Sequence, residues 1–214
     1  MKQFNQEVQL TTGDRQLAGD LTIPPDAKAL IVFAHGSGSS RFSKRNREVA
    51  AFLQSHRYAT LLFDLLTEAE DVFYPNRFDI RLLSGRLILA TQWLEQQQLT
   101  APLKKGFFGA STGAAAALQA TVAAPGIFAV VSRGGRPDLA MDVLPSVTTP
   151  VLLIVGSADE DVLLLNQQAY QELSCIKKLI TIEGATHLFE EPGAMEQVSL
   201  AACNWFDQNL NPPA

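Results

Sequence analysis

Residues 106–117 read GFFGASTGAAAA, and this stretch determines how the rest of the chain is interpreted. A short apolar run leads into Gly109-Ala110-Ser111-Thr112-Gly113, and a helix-like run of alanines follows it. The pattern G-x-S-x-G between a strand and a helix is typical of a sharp turn that exposes the serine at the end of a sheet. Side chains two residues to either side of the serine would collide in such a turn, which explains the glycines. Ser111 is therefore a candidate nucleophile, and a glycine-rich turn without chemistry is the alternative.

Short apolar runs recur on both sides of this motif. Continuous runs of this length are typical of strands buried on both faces of a parallel sheet. The predicted strands are Ala29–Ala34, Ala59–Phe63, Gly106–Phe108, Phe128–Val131, Val151–Val155 and Leu179–Ile182. Amphipathic stretches lie between some of them, and apolar residues at spacings of three and four predict helices there. The predicted helices cover residues 44–56, the stripe from Ile80 to Leu94, Thr112–Ala123, and the stripe from Ala194 to Trp205.

Residues 5–23 show a different pattern, in which apolar and polar residues alternate. This pattern predicts an antiparallel hairpin that turns at Thr12-Gly13-Asp14 and ends at Pro24-Pro25. A hairpin followed by repeated strand–helix units indicates an α/β fold with a mostly parallel sheet and helices on both faces. We expect a single domain over residues 1–214, since one domain typically holds roughly 100–200 residues.

Composition excludes several classes of function. The chain has 17 basic and 22 acidic residues, a net charge of −5, which argues against nucleic-acid or membrane partners held by bulk charge. The N-terminus lacks the apolar segment of a secretory signal, and no apolar run reaches the roughly 18 residues of a membrane span. We therefore expect a cytoplasmic protein. Its two cysteines, Cys175 and Cys203, are too few for a cysteine-built zinc site, and we expect neither metal nor organic cofactor.

A serine nucleophile needs a neighbouring base, and three histidines are available. His187 lies in the loop between the last predicted strand and the last helix, from which its ring could reach the end of the sheet. His35 is interpreted as part of a turn beside Gly36, and His56 as a surface residue. His187 is therefore the candidate base.

The base in turn needs a carboxylate that holds its tautomer. Asp159 comes three residues after Gly156, where a turn at the end of a strand would aim it inward. Asp161 is the alternative, and Glu160 is interpreted as a solvated loop charge. The chain order Ser111, Asp159, His187 is the order found in α/β-hydrolases.

An acyl-transfer site also needs hydrogen-bond donors for the developing oxyanion. The residue after the nucleophile supplies one, the backbone N–H of Thr112. The second is expected from the glycine- and serine-rich loop at residues 35–40, with the N–H of Ser37 as the candidate. Such a loop could instead cradle a phosphate, but it lacks the lysine and the glycine spacing of the phosphate-binding motifs.

These motifs together resemble the α/β-hydrolase superfamily and, within it, the dienelactone-hydrolase-like group. The resemblance covers roughly residues 28–210 and rests on HGSGSSRFSKRNR at 35–47, FDLL at 63–66, FFGASTGAAAA at 107–117, SRGGRPDL at 132–139, LLIVGSADEDV at 152–162 and GATHLFEEPGAM at 184–195. It implies an eight-stranded sheet and hydrolysis of an ester or lactone through an acyl-enzyme. Matched by position, it implies Ser111 as nucleophile, Asp159 as acid and His187 as base. Dienelactone hydrolases proper carry cysteine where this chain has serine.

The expected partner is a small, soluble ester or lactone. Only residues 133–149 lie between two predicted strands near the site, room for one short helix at most, so a minimal lid is expected and lipase activity is not. Residues 65–76 are predicted to be a short loop that could wall the pocket. Arg41 and Arg133 are candidates to bind a substrate carboxylate; the alternative is that both pair with acids such as Asp64 or Glu190. A peptidase, a thioesterase or a catalytically silent binding protein are the other functions considered.

Overall fold

The computed structural model describes residues 4–13, 15–124 and 126–211, and within them eight strands form a single sheet. The strands are β1 (Phe4–Thr12), β2 (Arg15–Ile23), β3 (Ala29–Ala34), β4 (Tyr58–Phe63), β5 (Lys105–Ala110), β6 (Ile127–Arg133), β7 (Val151–Gly156) and β8 (Lys177–Ile182). The α-helices are α1 (Lys44–Ser55), α2 (Glu68–Asp71), α3 (Ile80–Gln96), α4 (Thr112–Ala123), α5 (Glu160–Glu172) and α6 (Ala194–Leu210). Two 3₁₀ segments cover Tyr74–Phe78 and Pro137–Ser146.

The sheet order is β1-β2-β4-β3-β5-β6-β7-β8. Strands β1 and β2 form the predicted hairpin, with Phe4 opposite Ile23, and β2 also runs antiparallel to β4. All other pairs are parallel. The predicted fold class is therefore confirmed: a mostly parallel eight-stranded sheet with an antiparallel N-terminal hairpin. Asp14 of the predicted turn lies outside the described residues.

Helices cover both faces of the sheet, which explains the continuous apolar runs. Helices α3, α4 and α5 pack on one face, and α1 and α6 pack on the other. Alternate residues of β3 enter the two cores: Val32 joins the first and Phe33 the second. A central strand therefore needs an apolar side chain at every position.

Three segments differ from the sequence-based expectation. Helix α5 begins directly after Asp159, so Glu160 and Asp161 lie in its first turn and not in a loop. The segment between β6 and β7 forms a ten-residue 3₁₀ run bent at Ala140, more than the single short helix expected. Within the predicted loop 65–76, α2 forms because Thr67 and Glu70 cap its first turn reciprocally.

Both cysteines are free, Cys203 buried and Cys175 partly so. In the part of the chain that the structure describes, no helix combines the length and apolar character needed to cross a membrane.

Candidate active site

Ser111 lies at the turn where β5 passes into α4. Its backbone has φ 51° and ψ −121°, a left-handed conformation that is unusual for a residue with a side chain. Neighbouring backbone groups hold it there: the N–H of Ser111 donates to Arg133 O at 3.3 Å, and Ser111 O accepts from Arg136 N at 3.1 Å. The turn thus has the geometry of a nucleophile elbow.

The two glycines of the motif are required by close backbone contacts. A Cβ at position 113 would lie 2.3 Å from Ala34 O, and one at position 109 would lie 2.5 Å from Ala114 Cα. Both distances are far too short for real atoms, so only glycine fits. These contacts press the start of α4 against the end of β3 and bring Ser111 beside the loop that follows β3.

Asp159 and His187 are brought together from two separate loops. Asp159 Oδ2 lies 2.7 Å from His187 Nδ1, a hydrogen-bond distance. The backbone bond from Ala158 N to Ala185 O, 3.0 Å long, ties the two loops to each other. Asp161, the alternative acid, is exposed in the first turn of α5. Asp159 is therefore the carboxylate that orients this imidazole.

His187 and Ser111 both approach the end of β6. A Cβ at Gly134 would lie 3.6 Å from His187 Cε1, and Gly134 directly follows Arg133, whose carbonyl binds the Ser111 N–H. Among the described residues, the Ser111 hydroxyl forms no hydrogen bond to His187. Catalytic hydrogen bonds are often long before substrate binds and shorten in the complex. Because Nδ1 faces Asp159, Nε2 is the ring nitrogen left free of that contact.

The predicted oxyanion donors lie next to the serine. A Cβ at Gly36 would be 3.1 Å from Ser111 Cβ and 3.8 Å from its Oγ, so the Gly36–Ser37 backbone runs along the serine side chain. One small cavity is lined by both Ser37 and Thr112. Thr112 is the first residue of α4, so its N–H has no acceptor within the helix. No hydrogen bond in the described part of the chain uses the Ser37 N–H.

His35, predicted to be a turn residue, is buried beneath this loop and bonds to backbone on both sides of its ring. The sequence feature that could have placed His35 near the site is its position directly after β3. His56 is an exposed surface residue, as predicted.

The two candidate arginines, Arg41 and Arg133, differ in their contacts with carboxylates. Arg41 lies within 4 Å of three carboxylates, with Asp64 at 3.6 Å and Glu7 at 3.5 Å. It therefore forms the structural pairs that were the alternative to substrate binding.

Arg133 is 5% exposed and, within the described residues, has no carboxylate partner. Its Nη2 lies 3.4 Å from Asn46 Oδ1, and its guanidinium stacks 5.6 Å above the Phe189 ring. Burial, with a smaller contribution from the nearby charge of Arg45, lowers the pKa of Arg133 to about 10. A positive charge without a neutralising acid thus lies beside the loop that carries His187.

Two surface clefts are formed by other parts of the chain. One, of about 540 Å³, is lined by Arg45 and Phe189 among others, and the second, of about 490 Å³, by Ser39 and Arg41. Ser111 lines neither of them. In the described residues no group of three or more histidine, cysteine, aspartate or glutamate side chains is arranged to hold a metal ion.

The chain is similar over almost its whole length to proteins of known structure. It is 48% identical to a dienelactone hydrolase from Anabaena variabilis, with 99% of this chain and 100% of that one covered and a TM-score of 0.94. An esterase from Pyrococcus furiosus is 18% identical, with 97% and 92% of the two chains covered and a TM-score of 0.83, and thus shares the fold. No family model matches the sequence.

A curated relative is longer than this chain. A Mycobacterium tuberculosis protein with the provisional name of phosphoribosyl transferase is 54% identical over 211 residues, which is 98% of this chain. The match covers 47% of that protein, so this chain spans about half of its length.

The sheet order, the antiparallel first hairpin and the turn after β5 define an α/β-hydrolase fold. The chain belongs to the dienelactone-hydrolase-like group of the α/β-hydrolase superfamily, and this membership supports hydrolytic chemistry.

Proposed function

We propose that this protein is a serine hydrolase that cleaves a small, soluble carboxylic ester or lactone through an acyl-enzyme. The observation that carries the proposal is the 2.7 Å contact between Asp159 Oδ2 and His187 Nδ1, next to a serine held in the strained geometry of an elbow. A carboxylate, an imidazole and an activated hydroxyl are the three groups that acyl transfer requires.

In the proposed reaction, Ser111 Oγ attacks the carbonyl carbon of the ester while His187 Nε2 takes the hydroxyl proton. Asp159 stabilises the imidazolium that forms and keeps Nε2 directed at the substrate. Collapse of the tetrahedral intermediate breaks the ester bond, and His187 returns the proton to the leaving alkoxide. A water then attacks the acyl-enzyme by the same route and releases the acid.

The oxyanion of each tetrahedral intermediate would accept hydrogen bonds from the N–H groups of Ser37 and Thr112. Both residues line one cavity beside Ser111, and both N–H groups are free to donate. Donors fixed in advance favour the transition state because the charge develops only there.

The proposed substrate is small because the segments that surround the site are short. Between β6 and β7 the chain forms only the bent 3₁₀ run Pro137–Ser146. After β4, helix α2 is only four residues long (Glu68–Asp71), and the 3₁₀ segment after it covers five (Tyr74–Phe78). Such an arrangement suits a substrate of a few carbons or a single ring.

The direct test combines p-nitrophenyl acetate hydrolysis with covalent labelling by a fluorophosphonate. We expect wild-type protein to hydrolyse the ester and to take up one label at Ser111, and Ser111→Ala to lose on the order of 10⁴-fold in kcat. Labelling without ester hydrolysis would favour a thioesterase or peptidase with the same three residues, to be assayed on thioesters and peptides. If the wild-type protein takes up no label and hydrolyses no ester, it is a catalytically silent binding protein.

The name of the curated relative suggests a second activity, phosphoribosyl transfer. We propose that this name refers to the part of the relative that this chain does not match, because this chain, 54% identical to the matched part, has the hydrolase fold. Incubation with phosphoribosyl pyrophosphate and a nucleobase should therefore release no pyrophosphate. Pyrophosphate release that persists in the Ser111→Ala variant would contradict this assignment.

A further inference from the structure

The ring of His35 joins two backbone segments beside the catalytic serine. Its Nδ1 lies 2.9 Å from the carbonyl oxygen of Gly36, and its Nε2 lies 3.1 Å from the N–H of Leu65. A carbonyl oxygen only accepts and a backbone N–H only donates, so Nδ1 must carry the proton and Nε2 must accept. The contacts therefore select one neutral tautomer.

The hydrogen bond from Nδ1 acts on the peptide group between Gly36 and Ser37. The oxygen of this peptide also accepts from Ser39 N at 3.2 Å, so two donors fix its direction. The peptide is trans, which makes its N–H point away from its own C=O. Fixing the carbonyl of Gly36 therefore fixes the direction of the Ser37 N–H.

The loop that contains this peptide is anchored at both ends to the segment after β4. At one end His35 accepts from Leu65 N, and at the other Arg41 N donates to Asp64 Oδ1 at 2.8 Å. The glycines at 36 and 38 leave the backbone between the anchors free to rotate. The His35 ring thus supplies a constraint that the loop residues themselves lack.

The surroundings of the ring keep it in the neutral form. The side chain is nine-tenths buried, and burial lowers the pKa of His35. A protonated ring could not accept from Leu65 N, so the neutral form is the one compatible with both contacts.

We propose that His35 is a positioning residue that orients the Gly36–Ser37 peptide, so that the Ser37 N–H faces the oxyanion formed on a substrate bound to Ser111. The inference rests on the proposed function, since it assigns to His35 a task within the same reaction. His35 touches neither substrate nor reacting atoms and acts through the backbone.

The role predicts which kinetic constant changes. An oxyanion donor acts on the transition state and contributes little to binding of the ground state, so disorienting it should lower kcat and leave KM nearly unchanged. Affinity for a trifluoromethyl ketone, whose adduct with serine carries an oxyanion, should fall by the same factor as kcat.

Two substitutions each remove a different one of the two hydrogen bonds made by the His35 ring. His35→Asn keeps an N–H donor at the position of Nδ1 and loses the acceptor for Leu65. His35→Gln places its amide one bond further out, near Nε2, where it can accept from Leu65 but no longer donates from the Nδ1 position. We expect kcat to fall on the order of 10²-fold in His35→Gln and by about tenfold or less in His35→Asn, with KM within about threefold in both.

Leu94→Ala is the control for lost stability, because it empties core space under α3 far from the loop. It should lower the unfolding temperature and leave kcat unchanged at the assay temperature.

The wild-type assay is done first, and a wild type without labelling at Ser111 would overturn the proposed function itself. If the wild type is active, the positioning role is overturned when His35→Gln keeps kcat within threefold or when KM rises while kcat holds. It is also overturned when both variants lose activity only in proportion to their unfolded fraction.

Discussion

At the scale of single residues, the two aspartates near the start of α5 offer a sharp comparison. Asp159 contacts His187, whereas Asp161, two residues later, is exposed. We expect Asp159→Asn to lower kcat by on the order of 10⁴-fold, because the amide would favour the wrong imidazole tautomer. Asp161→Asn should stay within twofold of wild type, since it removes only a solvated charge. Steady-state kinetics on p-nitrophenyl acetate measures both, and the reverse order would reassign the acid.

Arg133 is the second residue whose effect can be predicted. Its buried charge has no carboxylate partner among the described residues, and burial strengthens its field because the local dielectric is low. If this charge favours anionic substrates, Arg133→Met should lower kcat/KM for an ester that bears a carboxylate by about tenfold more than for its neutral counterpart. The matched control is Arg136→Met, since Arg136 is already neutralised by a two-point contact with Asp138. Equal losses on both esters would make Arg133 purely structural.

At the scale of elements, the junction of β5 and α4 depends on how closely backbones approach. A methyl group at Gly113 would meet Ala34 O at 2.3 Å, so Gly113→Ala should force β3 and α4 apart and disorder the elbow. We expect it to lower both activity and the free energy of unfolding, the latter by several kcal/mol. Gly85→Ala is the control: Gly85 lies within α3 with no neighbouring atom within 4 Å of the added methyl. This change should instead stabilise by about 0.4–1 kcal/mol in urea unfolding.

Strands and helices could be predicted from the sequence where their burial requires a run or stripe of apolar residues. Strand β3 coincides with the run Ala29–Ala34, but β5 continues past the run Gly106–Phe108, because backbone pairing extends beyond the apolar residues. Helix α5 was not predicted, since one of its few buried positions is occupied by Asn166, whose amide donates to Gly135 O. A polar residue at a buried position interrupts the apolar periodicity by which a helix is recognised in a sequence.

The sequence was sufficient to propose which residues form the candidate site, by residue type and by position along the chain. Ser111, Asp159 and His187 lie in the segments that follow β5, β7 and β8, where parallel sheets commonly carry their ligand sites. The role proposed for His35 could not be predicted, because its partners are backbone groups that any residue type supplies. The pairing of Arg41 with three carboxylates likewise depends on strands that are distant in sequence.

At the scale of the whole molecule, the open end of the sheet determines how substrate arrives. In the described residues, the connection from β6 to β7 holds only the bent ten-residue 3₁₀ run, so there is no long helix to lift away at a lipid surface. We expect the rate on a short-chain ester such as tributyrin to saturate smoothly as its concentration passes the solubility limit. A several-fold jump in rate once droplets form would contradict this architecture.

The left-handed backbone at Ser111 implies that the proposed nucleophile lowers the thermal stability of the chain. A residue with a side chain held at φ 51° and ψ −121° costs on the order of 1–3 kcal/mol, and glycine would relieve that cost. Ser111→Gly should therefore melt a few degrees above the wild type while losing activity, whereas Ser111→Ala should lose activity without that gain. Differential scanning calorimetry of the pair would separate the two contributions. Under the proposed function, the substitution that relieves this strain is thus the one that removes the nucleophile.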